Sequence, residues 1–165
     1  PKRNRRSQES SLVYQQRDRT IGKAVSVFTD QKLFMEITGQ KPSEDMVELY
    51  MDLIDEEMNE LCNAYGVNDV VEMADGAIDL IYVTIGLLHS MGLDPQALWD
   101  EVQRSNMSKF LVEACVFCGT KGCEHCDGRG EFYKAIKRED GKILKPSTYF
   151  KPDLISLIHK RLERR

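Results

Sequence analysis

Residues 72–89 read EMADGAIDLIYVTIGLLH, and this stretch decides the fold. Its length and nearly continuous apolar text predict a helix that is buried on every side. The same stretch carries Glu72, Asp75 and Asp79 at positions i, i+3 and i+7, which places the three acids along one helical face. A lone ionised carboxylate is costly in an apolar setting. These acids must therefore be protonated, paired with cations or bound to a metal ion.

The helix before it supplies further acids. An α-helix advances by about 100° per residue, so the direction of each side chain can be calculated. The predicted apolar stripe of this helix consists of Val47, Met51, Ile54, Met58 and Leu61. Glu57 and Glu60 lie at the border of that stripe, whereas Glu56 projects toward water on the opposite side.

The distribution of charge argues against ordinary salt bridges for these acids. Residues 42–103 contain no Lys or Arg. Hard oxygen ligands favour Mg²⁺ or Mn²⁺ over softer metals. The predicted magnesium ligands are Glu57, Glu60, Glu72, Asp75 and Asp79. The alternative is a set of solvated acids at the wet end of a helical bundle.

Start and stop residues predict four helices, at about residues 21–38, 43–66, 69–91 and 94–108. Their short links predict an all-α four-helix bundle. The chain is therefore divided into a basic mobile arm (1–20), the bundle (21–110), a cysteine-rich insert (111–131) and a C-terminal extension (132–165). The extension contains strand-like pieces and ends in a short helix whose apolar face carries Leu154, Leu157, Ile158 and Leu162.

Polar side chains on two of the predicted helices complement the acids. Asn106 and Lys109 share the inward face of the fourth helix, where an amide and an ammonium suit a polyphosphate bound to metal. Gln31 lies on the apolar stripe of the first helix, where it is either a base-reading amide or a satisfied core amide. Lys142 and Lys145 are either surface residues or groups that close over phosphates.

The insert CVFCGTKGCEHCDGRG contains four cysteines, Cys115, Cys118, Cys123 and Cys126, in the pattern C-x2-C-x4-C-x2-C. Two CxxC pairs predict a tetrahedral Zn²⁺ site, and glycines at 119, 122, 128 and 130 permit the tight turns that it needs. Four thiolates leave no open coordination position, so the expected role is structural. A redox dithiol, a ligand role for His125 and ligands shared across a dimer stay open.

Composition limits the class of protein. With 165 residues of which 41% are hydrophobic, the chain can form one compact core with appendages. Its net charge of -4 argues against a general polyanion-binding surface, so nucleic acid is not an expected partner. The opening PKRNRRSQ lacks the apolar segment of a secretory signal, and no apolar run reaches membrane-spanning length. We expect a soluble, cytoplasmic protein without a membrane partner.

The acidic motifs resemble a known superfamily. Glu56-Glu57-x-x-Glu60 followed by Glu72-x-x-Asp75 is similar to the EExxE…ExxD signature of the all-α nucleoside triphosphate pyrophosphohydrolases, the MazG-like superfamily. The texts EVQRSNMSK (101–109) and EDGKILKPSTYFKPDL (139–154) resemble its phosphoribosyl-ATP pyrophosphohydrolase-like branch. The resemblance covers residues 25–154 and is interrupted by the cysteine-rich insert.

The resemblance implies Mg²⁺-dependent cleavage of a nucleoside triphosphate to the monophosphate and pyrophosphate, in house-cleaning or control of the nucleotide pool. It implies that Glu57, Glu60, Glu72 and Asp75 are metal ligands and that Asp79 supports them. It places Asn106 and Lys109 near the phosphates or sugar. In chemical terms Glu57 takes a proton from water and Lys109 neutralises developing charge. The implied assembly is a homodimer or a higher homo-oligomer.

Two other functions stay open. Hydrolysis of phosphoribosyl-ATP uses the same chemistry on a different leaving fragment. A zinc-containing module that binds nucleic acid or protein through the insert and the PKRNRR arm belongs to another class.

Overall fold

The computed structural model describes residues 26–162, with residues 160–162 in their backbone only. The predicted arm at residues 1–20 and the predicted helix start at Ile21 lie outside the described residues. The described part contains five α-helices and one two-stranded sheet, which confirms the predicted helical fold class. The elements are α1 (Val27–Thr38), α2 (Glu44–Val67), α3 (Val70–Ser90), α4 (Pro95–Met107), β1 (Phe110–Ala114), β2 (Glu131–Ala135) and α5 (Leu154–Leu162).

Side chains that cap helix starts fix where α2, α3 and α4 begin. The Ser43 hydroxyl and the carboxylates of Asp69 and Asp94 each accept hydrogen bonds from backbone N–H groups of the first helical turn. Pro95 occupies the first turn of α4, where it removes an N–H group that has no partner within the helix. All three caps are local sequence features, and all three agree with the prediction.

The chain divides into two compact units, residues 1–93 and 94–165. In the first unit, α1, α2 and α3 pack around Met35, Tyr50 and Val83. The side of α3 that meets this core carries Gly86, where a Cβ atom would lie 2.1 Å from Cε1 of Tyr50. The absence of a side chain at this position lets the Tyr50 ring lie directly against the α3 backbone.

The prediction that α3 is buried on every side is wrong. Val83 and Ile85 are buried, but Ile78 and Ile81 are 64% and 52% exposed. The reason is tertiary, since within the first unit α1 and α2 pack against the side of α3 that carries Val83. None of the described helices is both long enough and apolar enough to cross a membrane.

The apolar stripe of α2 also differs from the prediction at two positions. Met51 and Met58 are exposed, whereas Tyr50 and Ala64 are buried. The contacting face of α2 is therefore rotated toward Tyr50. Exposed methionines on α2 and exposed isoleucines on α3 thus leave apolar side chains at the surface of the first unit.

The second unit contains a β-hairpin that encloses the cysteine-rich insert. β1 and β2 pair in antiparallel register over their full length, so that Ala114 lies opposite Glu131. One further bond, from Cys115 N to Gly130 O at 3.0 Å, extends the pairing. The insert at residues 115–130 therefore begins and ends at the same place.

The C-terminal helix α5 belongs to the same unit. The Asp153 carboxylate accepts a hydrogen bond from the backbone N–H of Ser156 in its first turn. Leu154, Leu157 and Ile158 are partly buried, whereas Ile155 is exposed. This pattern agrees with the predicted apolar face.

Candidate functional site

The predicted metal-binding acids lie on α2 and α3, which approach closely at Gly76. Gly76 is buried, and a Cβ atom at this position would lie 3.3 Å from the backbone nitrogen of Leu61. This contact sets the part of α2 that carries Glu57 beside the part of α3 that carries Asp75 and Asp79. The close approach of two helix backbones thus brings acids of two separate sequence motifs into one neighbourhood.

Glu57 is the acid most affected by this arrangement. Its pKa is raised, first by burial and then by the negative charges of Asp79, Glu60, Glu56 and Asp75. Glu57 is half-buried and Glu56 is exposed, in agreement with the helical angle calculated from the sequence. Like charges on both helices make the ionised form of Glu57 costly. A proton or a divalent cation relieves that cost.

The other four predicted ligands, Glu60, Glu72, Asp75 and Asp79, are exposed. Among residues 26–162 none of these acids forms a salt bridge, and no three of their carboxylates converge within 4.8 Å. They form an open acidic face and not a closed ligand cage. An open face suits Mg²⁺, which usually keeps several waters and binds one or two carboxylates together with substrate phosphates.

Gln31 lies in the core of the first unit, where it is fully buried at 0% exposure. Its Nε2 donates to the Tyr50 hydroxyl at 3.0 Å, and that hydroxyl donates to Oε1 of Gln40 at 2.8 Å. Gln31 Oε1 has no hydrogen-bond partner among the described residues. The structure therefore places Gln31 as a core amide that ties α1 to α2 and keeps one open acceptor.

Asn106 and Lys109 lie in the second unit, at the end of α4 and just beyond it. Lys109 Nζ donates to Oδ1 of Asn106 at 2.7 Å. Asn106 is exposed and Lys109 is half-buried. The predicted amide and ammonium are thus brought together.

The four cysteines of the insert converge. Their sulfur atoms all lie within 4.8 Å of one another, and this is the one group of three or more His, Cys, Asp or Glu side chains in residues 26–162 that does so. Cys115 and Cys123 are separated by 3.8 Å between their Sγ atoms, and Cys118 and Cys126 by 3.7 Å. A tetrahedral ion with metal–sulfur bonds of about 2.3 Å requires edges of about 3.8 Å. The cluster therefore has the dimensions of a site for a metal such as zinc.

Backbone donors make this cluster receptive to a cation. Burial raises the pKa of Cys126, but hydrogen bonds from the backbone N–H groups of Cys123 and Gly130 outweigh it, and the neighbouring thiols add to their effect, so the pKa falls to about 6. Burial and the neighbouring thiols raise the pKa of Cys118 to about 12. Cys126 therefore ionises more readily than Cys118. The thiolate is the form of cysteine that binds metal.

The predicted alternative in which His125 replaces a cysteine is not needed, because all four sulfurs converge. The His125 ring lies instead between Phe117 and Phe132, with ring centroids 4.2 Å and 5.6 Å away. Gly122 has φ of +86°, and a Cβ atom there would lie 2.5 Å from the Gly128 carbonyl oxygen. Only glycine fits this turn, as the sequence indicated.

The family comparison matches the helical part of the chain. The family model of phosphoribosyl-ATP pyrophosphohydrolase aligns with residues 31–106. Over these residues the chain is similar to the phosphoribosyl-ATP pyrophosphohydrolase family. The resemblance read from the acidic motifs is thereby confirmed. No curated protein matches the chain.

The phosphoribosyl-ATP pyrophosphohydrolase segment contains Gln31, Asn106 and both acidic motifs. The match supports a hydrolase of the nucleotide pyrophosphohydrolase class. Lys109 and the cysteine cluster lie outside the matched residues. The cysteine-rich insert therefore lies outside the part of the chain that the family model matches.

Proposed function

We propose that the protein is a Mg²⁺-dependent nucleoside triphosphate pyrophosphohydrolase that releases the nucleoside monophosphate and pyrophosphate and controls the nucleotide pool. The observation that carries this proposal is the half-buried Glu57, whose pKa is raised by burial and by the charges of Asp79 and Asp75 on the neighbouring helix. Such a concentration of like charge costs stability unless a cation joins it. The family match of residues 31–106 supports nucleotide hydrolysis.

The donor set suits magnesium or manganese, because carboxylate oxygens are the ligands that these ions prefer. Glu57, Glu60, Glu72 and Asp75 are the proposed ligands, with Asp79 in support. The bound ion would neutralise phosphate charge and lower the pKa of a bound water. Glu57 also accepts the proton of the attacking water, since a carboxylate beside the bound ion lies within reach of a water on that ion.

The substrate contacts proposed on chemical grounds are Asn106 and Lys109, whose side chains are hydrogen-bonded to each other at 2.7 Å. Lys109 supplies positive charge for a phosphate, and Asn106 supplies an amide for the sugar or phosphate. The full burial of the Gln31 side chain favours a role in positioning α1 against Tyr50 over direct contact with a base.

A pair of variants on α2 tests the proposed chemistry. Glu57→Gln and Glu56→Gln remove the same charge from adjacent positions, one half-buried and one exposed. We expect Glu57→Gln to lower Mg²⁺-dependent turnover by about 10²–10⁴-fold and Glu56→Gln to change it by only a few-fold. Turnover is measured as pyrophosphatase-coupled phosphate release across the common and deoxy triphosphates. Equal activity of the two variants, or no turnover of any triphosphate by the wild type, would sink the proposal.

Hydrolysis of phosphoribosyl-ATP is the second candidate. The description of the matched family favours it, since the family is named for that reaction. Including phosphoribosyl-ATP in the same panel separates the two candidates. A preference for it over every nucleoside triphosphate would replace the first proposal.

We propose that the cysteine cluster holds a structural Zn²⁺ ion. The sulfur separations of 3.7 Å and 3.8 Å support this choice, because they match the edge of a zinc–thiolate tetrahedron. A site with four protein ligands has no position for a reacting water, so it stabilises the hairpin and takes no part in hydrolysis.

We also propose that two copies associate through the apolar surface of the first unit. Ile78 and Ile81 on α3 are more than half exposed, and Met51 and Met58 on α2 are also exposed. Contiguous apolar surface of this kind marks interaction sites. Light scattering after size-exclusion chromatography should give twice the chain mass for the wild type and a smaller mass for a variant with Ile78→Ser and Ile81→Ser. A monomeric wild type at all concentrations would contradict the proposed dimer.

A further inference from the structure

The C-terminal extension of the second unit is held against α4 by polar contacts. The Ser105 hydroxyl donates to the Phe150 carbonyl at 2.8 Å, and the Phe150 N–H donates to the Ser108 hydroxyl at 3.2 Å. The Thr148 hydroxyl donates to the Ser108 carbonyl at 3.3 Å. The guanidinium of Arg104 lies over the Phe150 ring, 4.3 Å from its centroid. These hydrogen bonds and the cation–π contact therefore hold residues 148–150 beside the end of α4.

This attachment brings two cations and a phenol together. Lys145 Nζ lies 4.4 Å from the centroid of the Tyr149 ring. The pKa of Tyr149 is lowered, first by a hydrogen bond with the Ser105 side chain and then by Lys145 and the charge of Lys109, against an opposing effect of burial. Lys109 in turn donates to Asn106. Lys109 directly follows Ser108, whose contacts with Thr148 and Phe150 lie on either side of Tyr149. Both lysines thus lie near the same phenol, although they come from different parts of the chain.

Within the described residues, the ammonium groups of Lys109 and Lys145 have no carboxylate partner in a salt bridge. In the described part of the chain, the salt bridges of the second unit involve Arg104, Arg129, Lys134 and Arg138. Neither Lys109 nor Lys145 takes part in one. Two ammonium groups that lie near one phenol and form no salt bridge favour binding of an external anion. An oxyanion can accept hydrogen bonds from the ammoniums and the phenol hydroxyl together.

We propose that Lys109, Lys145 and Tyr149 form a site for the phosphate chain of a nucleotide. The identity of the anion rests on the proposed hydrolase function, whereas the existence of the site rests on the contacts of residues 145–150 with α4. Lys142 is not part of the site. It lies on a separate turn, where its backbone N–H donates to the Asp140 carboxylate.

Binding of inorganic tripolyphosphate in the absence of divalent cations tests the site independently of catalysis. We expect calorimetry to show that Lys145→Gln weakens binding by about 10–100-fold and that Tyr149→Phe weakens it less, because a charged donor contributes more than a neutral one. Lys142→Gln removes the same charge three residues away and should leave binding within about twofold. Lys145→Arg should restore most of it, and thermal melting checks that all variants fold.

The outcomes separate this site from the proposed reaction. No binding by the wild type, or equal binding by Lys145→Gln and Lys142→Gln, overturns the site even if nucleotides are hydrolysed. Lys145-dependent binding without hydrolysis of any nucleotide supports the site and removes the proposed reaction. If the wild type both binds tripolyphosphate and hydrolyses nucleotides, Lys145→Gln should raise KM for the nucleotide more than it lowers kcat. Glu57→Gln should lower kcat and keep tripolyphosphate binding.

Discussion

Replacement of Gly86 by alanine tests the contact that holds the three helices of the first unit together. A Cβ atom at this position would lie 2.1 Å from Cε1 of Tyr50 and 2.6 Å from Nε2 of Gln31. Carbon atoms in contact need about 3.5 Å or more, so the ring must move by more than about 1 Å. Both neighbours are buried and hydrogen-bonded to each other, so neither can swing into solvent.

The expected loss of stability follows from three terms. Overpacking a core costs about 1–3 kcal/mol, and breaking the hydrogen bond between Tyr50 and Gln31 adds about 1–3 kcal/mol for the polar groups left unpaired. Alanine regains about 1 kcal/mol over glycine within a helix. The net destabilisation is about 3 kcal/mol, which for a unit of this size lowers Tm by roughly 10–25 °C.

Gly76→Ala is the matched control, since Gly76 lies buried in the same helix and its Cβ atom would meet Leu61 at 3.3–3.4 Å. Leu61 would have to move by only a few tenths of an ångström, so we expect the stability of Gly76→Ala to lie within about 1 kcal/mol of the wild-type value. Urea denaturation followed by circular dichroism measures both variants. Equal stabilities of Gly86→Ala and Gly76→Ala would refute the role assigned to the Tyr50 contact.

Three further predictions concern the metal centre, the acidic face and the buried amide. Cys118→Ser should lower bound zinc well below one ion per chain by elemental analysis, with helical circular dichroism retained; undiminished zinc would contradict the four-thiolate site. Because the folded-state pKa of Glu57 lies above its ordinary value of 4.5, the metal-free protein should lose stability as pH rises through that raised value. Melting curves should show this trend flattened by Mg²⁺ and absent in Glu57→Gln; an unchanged trend in the variant would exclude Glu57 as its source. Tyr50→Phe should destabilise the protein by about 2–4 kcal/mol in urea titrations, since Gln31 then loses its hydrogen bond inside the core, and a neutral effect would show that another donor replaces it.

Helix starts could be predicted from the sequence because their causes are local. Ser43, Asp69 and Asp94 each cap the turn that immediately follows them. The end of α2 was predicted less accurately. The sequence indicates an end at Gly66, whereas the helix runs to Val67 and is capped by Asn68 in the left-handed conformation at φ of 58°. Asparagine also tolerates that conformation, so Gly66 and Asn68, two positions apart, were both candidates for the cap.

The acidic face could be predicted only in part. The periodicity of α2 separates the half-buried Glu57 from the exposed Glu56, because helical geometry is a local property. Exposure of Ile78 depends on which elements cover α3, and no local pattern contains that information. The sequence likewise does not predict the proximity of Tyr149 to Ser105. This contact joins a segment without regular secondary structure to a helix more than 40 residues earlier in the chain.

The hairpin around the cysteine cluster makes the insert a removable module. The paired strands hold Ala114 directly opposite Glu131, so a two-residue turn could join them after excision of residues 115–130. The chain would then continue with the same strand register on both sides of the join. A lineage can therefore acquire or discard this cysteine-rich cassette in one genetic event without changing the helical segment that precedes it, and a protein engineer can use the same point to graft a foreign peptide.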